Sequence, residues 1–517
     1  MIADLTTLVW GALMPGITAH HIEPWVHRAL SDGVNTVCLF EGASGSPQRT
    51  LAIVQQLRAV SNSLLITVDE EGGDVTRLQS RTGSSFLSPS ALGFIADPEV
   101  TRASGRLIGD MLKNAGVDWN LGPVADVNVD PRNPVIGLRS FGEDAVSAAI
   151  HVGAFITGIQ STGVIATAKH FPGHGDTPVD SHESLPTVSV TLDLLRQREL
   201  LPFRSAIGAG VRSVMTGHLL VTSVDSEAPA SLSRAITTNL LRGELGYKGV
   251  VVTDALDMGA ISRPFGQQPP HAAVASLLAG ADLVCLGSLD QKRAIEAAAN
   301  AIFQALSDGT LEPAVLVAAA ERRAQLITRR RDTYQHSDVE RDETILADAA
   351  ERSLLAHGDV TLSQPRVDVL RLGVSRGSAI DAPPWSVGRH LLRFGLDVRI
   401  VDTVATRSDR DLVIEVRDAW TSADLLRSLS EVARARPDAV IVDVGTPTPD
   451  LPKCRGSLMT HGIGNLSMTL AACRLTGRDP RPFVMSILDE ARVSASFQLP
   501  TRLEPALTST PVAQWPP

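Results

Sequence analysis

Val164-Ile165-Ala166-Thr167-Ala168-Lys169-His170-Phe171-Pro172-Gly173-His174-Gly175-Asp176 is the stretch on which the fold turns. Its first five residues form a short apolar run bounded by Gly163 and, further on, Pro172, which reads as a buried strand. A dense polar cluster follows. From Lys169 to His182 the chain places one cation, three imidazoles and two carboxylates, Asp176 and Asp180, within fourteen residues. Packing alone gives no reason for such crowding. Parallel α/β architectures put their chemistry at the C-terminal ends of strands, and the cluster sits at such an end.

Similar apolar runs recur along the chain: Leu8–Met14, Thr36–Phe40, Leu64–Asp69, Val117–Val124, Val164–His170, Ser213–His218, Gly249–Asp254 and Asp282–Gly287. Helical periodicity fills the spacers, as in Ile22–Ala29, Leu51–Val60, Val100–Ala115, Val146–Ile159, Leu192–Ala209 and Ala235–Leu245. Eight β-α repeats in about 300 residues match the rhythm of a (β/α)8 TIM-type barrel, with an open doubly wound sheet as the alternative. The predicted catalytic domain is 1–335, followed by a helical connector over 336–365. Residues 366–517 carry their own runs (Val367–Val374, Val398–Val401, Leu412–Val416, Ala439–Val444 and, more weakly, Ser457–Thr460) and read as a smaller α/β sandwich domain. The Pro- and Thr-rich tail 499–517 is expected to be extended.

Composition narrows the class. At 517 residues the chain is too long for one ordinary core. A formal net charge of −10 argues against a nucleic-acid partner, because phosphate binding wants basic patches. Only five lysines occur, so Lys169 is a rare residue in a special place. The four cysteines form no C-x-x-C pair, and Cys38 and Cys285 lie inside apolar runs as small buried residues. No run of about twenty apolar residues is present and no basic leader precedes the first apolar segment, so the expectation is no membrane span and a cytoplasmic location. No G-x-G-x-x-G phosphate fingerprint appears, since Gly42-Ala43-Ser44-Gly45 lacks the spacing, and neither a cofactor nor a metal is expected.

In a barrel the strand ends share one mouth. They would bring together Asp69-Glu70-Glu71, Asp126, Lys169-His170, His218 and Asp254, and so many ionisable groups at one rim point to chemistry. Asp180 and His182, two apart in an extended loop, would point the same way, so that the carboxylate fixes the imidazole tautomer. Asp254 ends a wholly apolar strand and suits either a nucleophile or a metal ligand, with Asp257 the weaker candidate. From the residues alone, Arg139 in its Pro/Gly loop reads equally well as solvated or functional. One reading is a metal-dependent hydrolase built on His170, His174, His182, His218 and Asp254, but the first strand lacks a His-x-His pair.

Lys169–Asp176 with Asp180-x-His182 resembles the signature of glycoside hydrolase family three, in its β-N-acetylglucosaminidase branch. Asp69-Glu70-Glu71-Gly72-Gly73-Asp74-Val75-Thr76-Arg77, Val135–Asp144, and Pro229–Ser233 leading into Gly246–Ile261 resemble the same family, over residues 5–335. The resemblance implies a retaining exo-acting enzyme that cleaves terminal β-linked GlcNAc from peptidoglycan fragments or other glycosides through a glycosyl-aspartate. It implies Asp254 as nucleophile, His182 as acid/base with Asp180 orienting it, and Asp69, Arg77, Arg139, Lys169 and His170 as the residues holding the sugar. A neutral histidine donor would also tolerate an approaching phosphate, so β-glycoside phosphorolysis on the same site is the alternative. The chain departs from the family in two places. Phe40-Glu41-Gly42-Ala43-Ser44 lacks an Arg-Asn pair, and Asp74 stands where Arg is frequent, which predicts a more acidic flank to the pocket.

Overall fold

The computed structural model describes residues 4–40, 43–262, 269–329, 339–373 and 386–492. Parallel ladders with helices between them build the first part. Gly16–Ile17, Thr36–Leu39, Leu65–Val68 and Trp119–Asn120 form one ladder, and Thr167–Phe171, Ser213–Thr216 and Val250–Thr253 form another. Leu13–Met14 pairs with Val284–Cys285. Single parallel bridges at Trp119–Ile165, Val124–Lys169 and Val252–Leu283 link one ladder to the next. Parallel pairing with intervening helices makes this an α/β fold.

Side-chain alternation explains why these runs are apolar throughout. Cys38, Leu65, Trp119, Ile165, Met215, Val252 and Cys285 pack together in one cluster. Their neighbours Val37, Leu39, Ile66, Val68, Val214, Val251 and Val284 join a second cluster under the surrounding helices. Successive strand residues face opposite ways, so a strand covered on both faces needs no polar positions. The first run departs from expectation. Leu5–Gly11 is a helix whose first turn is capped by Asp4, and the strand begins only at Leu13. A continuous apolar run fits a buried helix as well as a buried strand.

Farther along, a six-stranded sheet runs in the order Leu355–Gly358, Gly456–Met459, Val440–Asp443, Asp411–Val416, Arg366–Leu372, Asp397–Val401. Only its first pair is antiparallel. Helices Val387–Arg393 and Asn465–Thr476 cover one face through Val387, Leu391, Met468 and Leu475. Helix Ala423–Ala435 covers the other through Leu429. Strand Leu355–Gly358 corrects the expected connector. Among the described residues there, Val339–Ala349 and the short turn after it are helical, and the half-exposed edge strand carries too weak an apolar pattern to announce itself. The extended tail expected over 499–517 lies outside the described residues.

The two regions share core. Val484, Ile487 and Leu488 of helix Arg481–Ala491 and Leu466 of the preceding helix pack into the same cluster as Leu346 and the helices of the first region. At the seam Ser84 O accepts from Leu466 N at 3.1 Å, the Ser88 hydroxyl donates to His461 O, and the His461 ring stacks on Phe94 at 4.1 Å. Among the described residues, no helix is long and apolar enough to cross a membrane.

Candidate active site

Because the ladders are parallel, Asp69, Lys169, His170, His218 and Asp254 all lie at or just beyond one set of strand ends. The hairpin Glu70–Gly72/Val75–Thr76 folds over this rim. Its turn depends on glycine: Gly72 and Gly73 have φ of 86° and 59°, and a Cβ on Gly73 would lie 2.4 Å from Ser88 Cβ.

Glu71, to which the sequence pattern assigns no role of its own, is the hub of the site. Both of its oxygens accept from Arg139, Nε and Nη2 each at 2.8 Å. Oε1 also lies 2.6 Å from Lys169 Nζ, which donates to Asp69 Oδ1 at 2.7 Å. Burial pushes the Glu71 carboxyl up, but the Arg139 and Lys169 charges outweigh it and hold the group well below the usual carboxylate range. Two cations and two carboxylates make the quartet neutral, which is how such charges survive out of water. Arg139 is pinned further by donating to Val135 O at 3.0 Å.

Asp126 organises the histidine segment. It accepts from the backbone N–H of His170 (3.1 Å) and His174 (2.8 Å), and its other oxygen lies 2.7 Å from His170 Nδ1. Burial opposes its ionisation, yet His170 and these hydrogen bonds lower its pKa overall. An ionised carboxylate only accepts, so His170 Nδ1 carries the proton and Nε2 is left for a ligand. The His174 ring is buried with neither nitrogen hydrogen-bonded, and burial pushes its pKa down to about 4, which keeps it neutral.

Asp254 follows strand Val250–Thr253, and its Oδ1 accepts from Ala255 N at 2.8 Å. Burial raises its pKa, but His170 and His218 more than compensate and bring it down to about 2, so the carboxylate is ionised at neutral pH. His218 Nε2 lies 2.9 Å from Ala255 O, which can only accept, so Nε2 donates and Nδ1 faces the Ser231 hydroxyl at 2.7 Å. Asp257 caps the turn beyond Gly287 by accepting from Ser288 N and Leu289 N at 2.7 and 3.0 Å.

The Asp180–His182 pair forms, by a different geometry from the extended loop expected. Asp180 Oδ1 accepts from His182 N at 2.7 Å and sits 2.9 Å from its Nδ1, while Asp180 O receives Glu183 N and Ser184 N. A tight Asx-type turn, not strand alternation, brings carboxylate and ring together. The loop is docked on the segment after Asp254. Gly259 N donates to His182 O at 3.1 Å, and a Cβ at Gly259 would stand 2.5 Å from that oxygen.

A cavity of about 210 Å³ is lined by Asp69, Arg77, Arg139, Lys169, His170, His182 and Asp254, together with Glu71, His174, Asp257, Phe40 and Met258. Every expected site residue except Asp180 faces it, and Asp180 stands behind His182. The volume is below the roughly 300–1,000 Å³ of drug-sized pockets and suits one small polar ring. Asp74 does not make its flank acidic. The carboxylate is buried and turned to the second region, with Arg417 Nη2 at 2.8 Å and Ile463 N at 3.0 Å. Among the described residues, no group of three His, Cys, Asp or Glu side chains is arranged to hold a metal ion.

The hairpin also carries a pH response. Glu70 Oε2 accepts from Arg77 N and Leu78 N, both at 3.0 Å, and burial pushes its carboxyl up to about 7. A raised carboxyl pKa adds stability that is fully present below the unfolded value, near 4.5, and lost as pH rises through about 7. Glu70→Gln keeps an acceptor for both N–H groups and removes the buried charge. Chemical denaturation should therefore find the variant more stable than wild type at pH 9, by on the order of 3 kcal/mol, and not at pH 4; equal stability at pH 9 would refute this.

Residues 23–326 match the family described as glycosyl hydrolase family 3 N terminal domain. Beta-hexosaminidase A of Pseudoalteromonas piscicida is 38% identical over 247 residues, 45% of this chain and 41% of that protein. The chain thus spans less than half of that relative's length. A beta-hexosaminidase of Pseudomonas aeruginosa is 35% identical over 245 residues, 46% of this chain and 71% of that protein. Among solved structures, a glycoside hydrolase family 3 beta-N-acetylglucosaminidase from Paenibacillus sp. str. FPU-7 superposes with a TM-score of 0.81 at 30% identity, covering 92% of this chain and 97% of that one. With the match spanning more than half of the sequence and the strand-end cavity lying within it, the chain belongs to glycosyl hydrolase family 3.

Proposed function

We propose that the protein is a retaining, exo-acting β-N-acetylglucosaminidase that removes terminal β-linked GlcNAc from peptidoglycan fragments or other glycosides. The observation that carries this reading is one small cavity with an ionised carboxylate, Asp254, and a carboxylate-oriented imidazole, His182, both on its wall. Retaining hydrolysis needs a nucleophile on one face of the anomeric carbon and a proton donor at the leaving oxygen. In the first step Asp254 attacks C1 while protonated His182 gives its Nε2 proton to the departing oxygen. In the second, neutral His182 takes a proton from water, the water oxygen bonds to C1, and Asp254 leaves as carboxylate. Asp180 keeps Nδ1 engaged throughout, so that Nε2 is the nitrogen that exchanges protons.

The neutral quartet, with Arg77 and His170, presents the remaining N–H groups of Lys169 and Arg139 and the Asp69 carboxylate to sugar hydroxyls. A wider cleft of about 690 Å³ between 132–139 and the second region adjoins the cavity at Val135 and Arg139 and gives the leaving group room. As to architecture, we read the first region as a (β/α)8 barrel and residues 366–517 as a layered α/β sandwich domain. The succession of parallel pairs and bridges from Leu13–Met14 to Val284–Cys285 supports the former.

The test is a panel of aryl β-GlcNAc, β-glucoside and β-xyloside substrates, each with and without phosphate. Preferential release of free GlcNAc, independent of phosphate, is expected. A sugar 1-phosphate product would move the reading to phosphorolysis, and no cleavage of any β-glycoside would end it.

A further inference from the structure

The second region grips both loops that meet at Glu71, and we propose that it acts as a positioning element for the sugar-holding residues through the Asp74–Arg417 ion pair. The proposal rests on the reading above that Glu71, Arg139 and Lys169 hold the sugar. On one side, Asp74 sits in the hairpin turn three residues after Glu71. The two groups its carboxylate engages, the Arg417 guanidinium at 2.8 Å and Ile463 N–H at 3.0 Å, both come from the second region. On the other side, Arg139 ends the short helical turn Gly137–Arg139, and Thr446 Oγ1 lies against Gly137, 3.4 Å from where its Cβ would be.

The two grips are joined. Arg417 Nε reaches Asp418 Oδ2 at 3.3 Å, and Asp418 Oδ1 accepts from Thr446 N at 2.8 Å. A chain of polar contacts therefore runs from Asp74 through Arg417 and Asp418 to Thr446, whose hydroxyl packs against Gly137. It closes a ring whose inner side is the Glu71–Arg139 pair. Asp74 is 4% exposed, so its carboxylate has no water as an easy substitute for the Arg417 guanidinium. Simple docking of one region on another could use any surface. This docking uses the tip of the one hairpin whose displacement would move Glu71, and the one loop whose displacement would move Arg139.

A double-mutant cycle in the full chain tests it, with the near-isosteric Asp74→Asn, Arg417→Gln and the pair together. Two readouts are taken: amide hydrogen exchange over 69–77 and 133–139, and KM and kcat for an activated aryl β-GlcNAc and for a β-GlcNAc disaccharide. Each single variant should raise exchange in both segments at least tenfold over wild type. KM should rise about fivefold or more on both substrates alike, with kcat within a factor of about three, because ground-state and transition-state sugar contacts are loosened together. The double variant should be no worse than the worse single. Unchanged exchange in the singles, additive losses in the double, or raised exchange with unchanged KM would each overturn the proposal. Should wild type cleave no β-GlcNAc substrate, the functional reading fails while the exchange data still decide the positioning role.

Discussion

Asp254→Ala should abolish turnover, with kcat/KM falling by roughly four orders of magnitude or more, while the fold survives. The carboxylate stands at a rigid strand end, ionised because His170 and His218 overcome the effect of its burial. Among the described residues, no other carboxylate on the cavity wall is so free to attack. Asp69 and Glu71 are tied to Lys169 and Arg139, and Asp257 is committed to the backbone of 288–289. Asp254→Asn is the sharper control, since its amide oxygen can still accept from Ala255 N. A 2-deoxy-2-fluoro glycoside with a good leaving group should trap the first intermediate, and mass spectrometry of the digest should find the label on Asp254. Labelling of any other residue, or substantial activity in the asparagine variant, would remove Asp254 from the nucleophile's place.

His182→Ala should split substrates by their leaving group. General acid help is worth about 10²–10⁴-fold, so an alkyl or sugar leaving group should lose within that range. An activated aryl glycoside needs little protonation and should keep most of its first step, leaving deglycosylation limiting. Azide, an anion that needs no base, should then restore turnover and give a glycosyl azide of retained β configuration. Asp180→Ala should show a milder form of this pattern, because it leaves the imidazole and removes what orients it. Equal losses on every substrate with no azide effect would make His182 a structural residue and send the search for the acid/base elsewhere.

Most strands of the first region were legible because each is covered on both faces and so reads as an unbroken apolar run, whereas the half-exposed edge strand Leu355–Gly358 was not. The residues that gather at the strand-end rim were legible from position alone: Asp69, Lys169, His170 and Asp254 all fall where a run stops. Glu71 was harder to find, since its role is relational. Two buried cations require two carboxylates, and nothing local says that Glu71 rather than its neighbour Glu70 supplies the second. Asp126 and His218 were visible as rim residues, while the roles of partner to His170 and buried neighbour of Asp254 depend on distances no spacing encodes. Asp180 and His182 were paired correctly on the wrong geometry, because i and i+2 come together in an Asx turn as readily as along a strand. Asp74 misled because a motif position says nothing about a region more than three hundred residues away.

The shared core between the two regions bears on how such a molecule can change over generations. Helix Arg481–Ala491 is laid over the same apolar cluster that the first region's own helices build, and Leu466 and Leu470 enter it from the helix before. Deleting the later region in one step would lay bare a strip of leucine, isoleucine and valine and strand the buried Asp74 without its counter-charge. Loss of the later region is therefore costly unless that strip is made polar and position 74 is re-paired or neutralised. The two regions, although separate as sheets, constrain one another's sequence along that strip and at position 74.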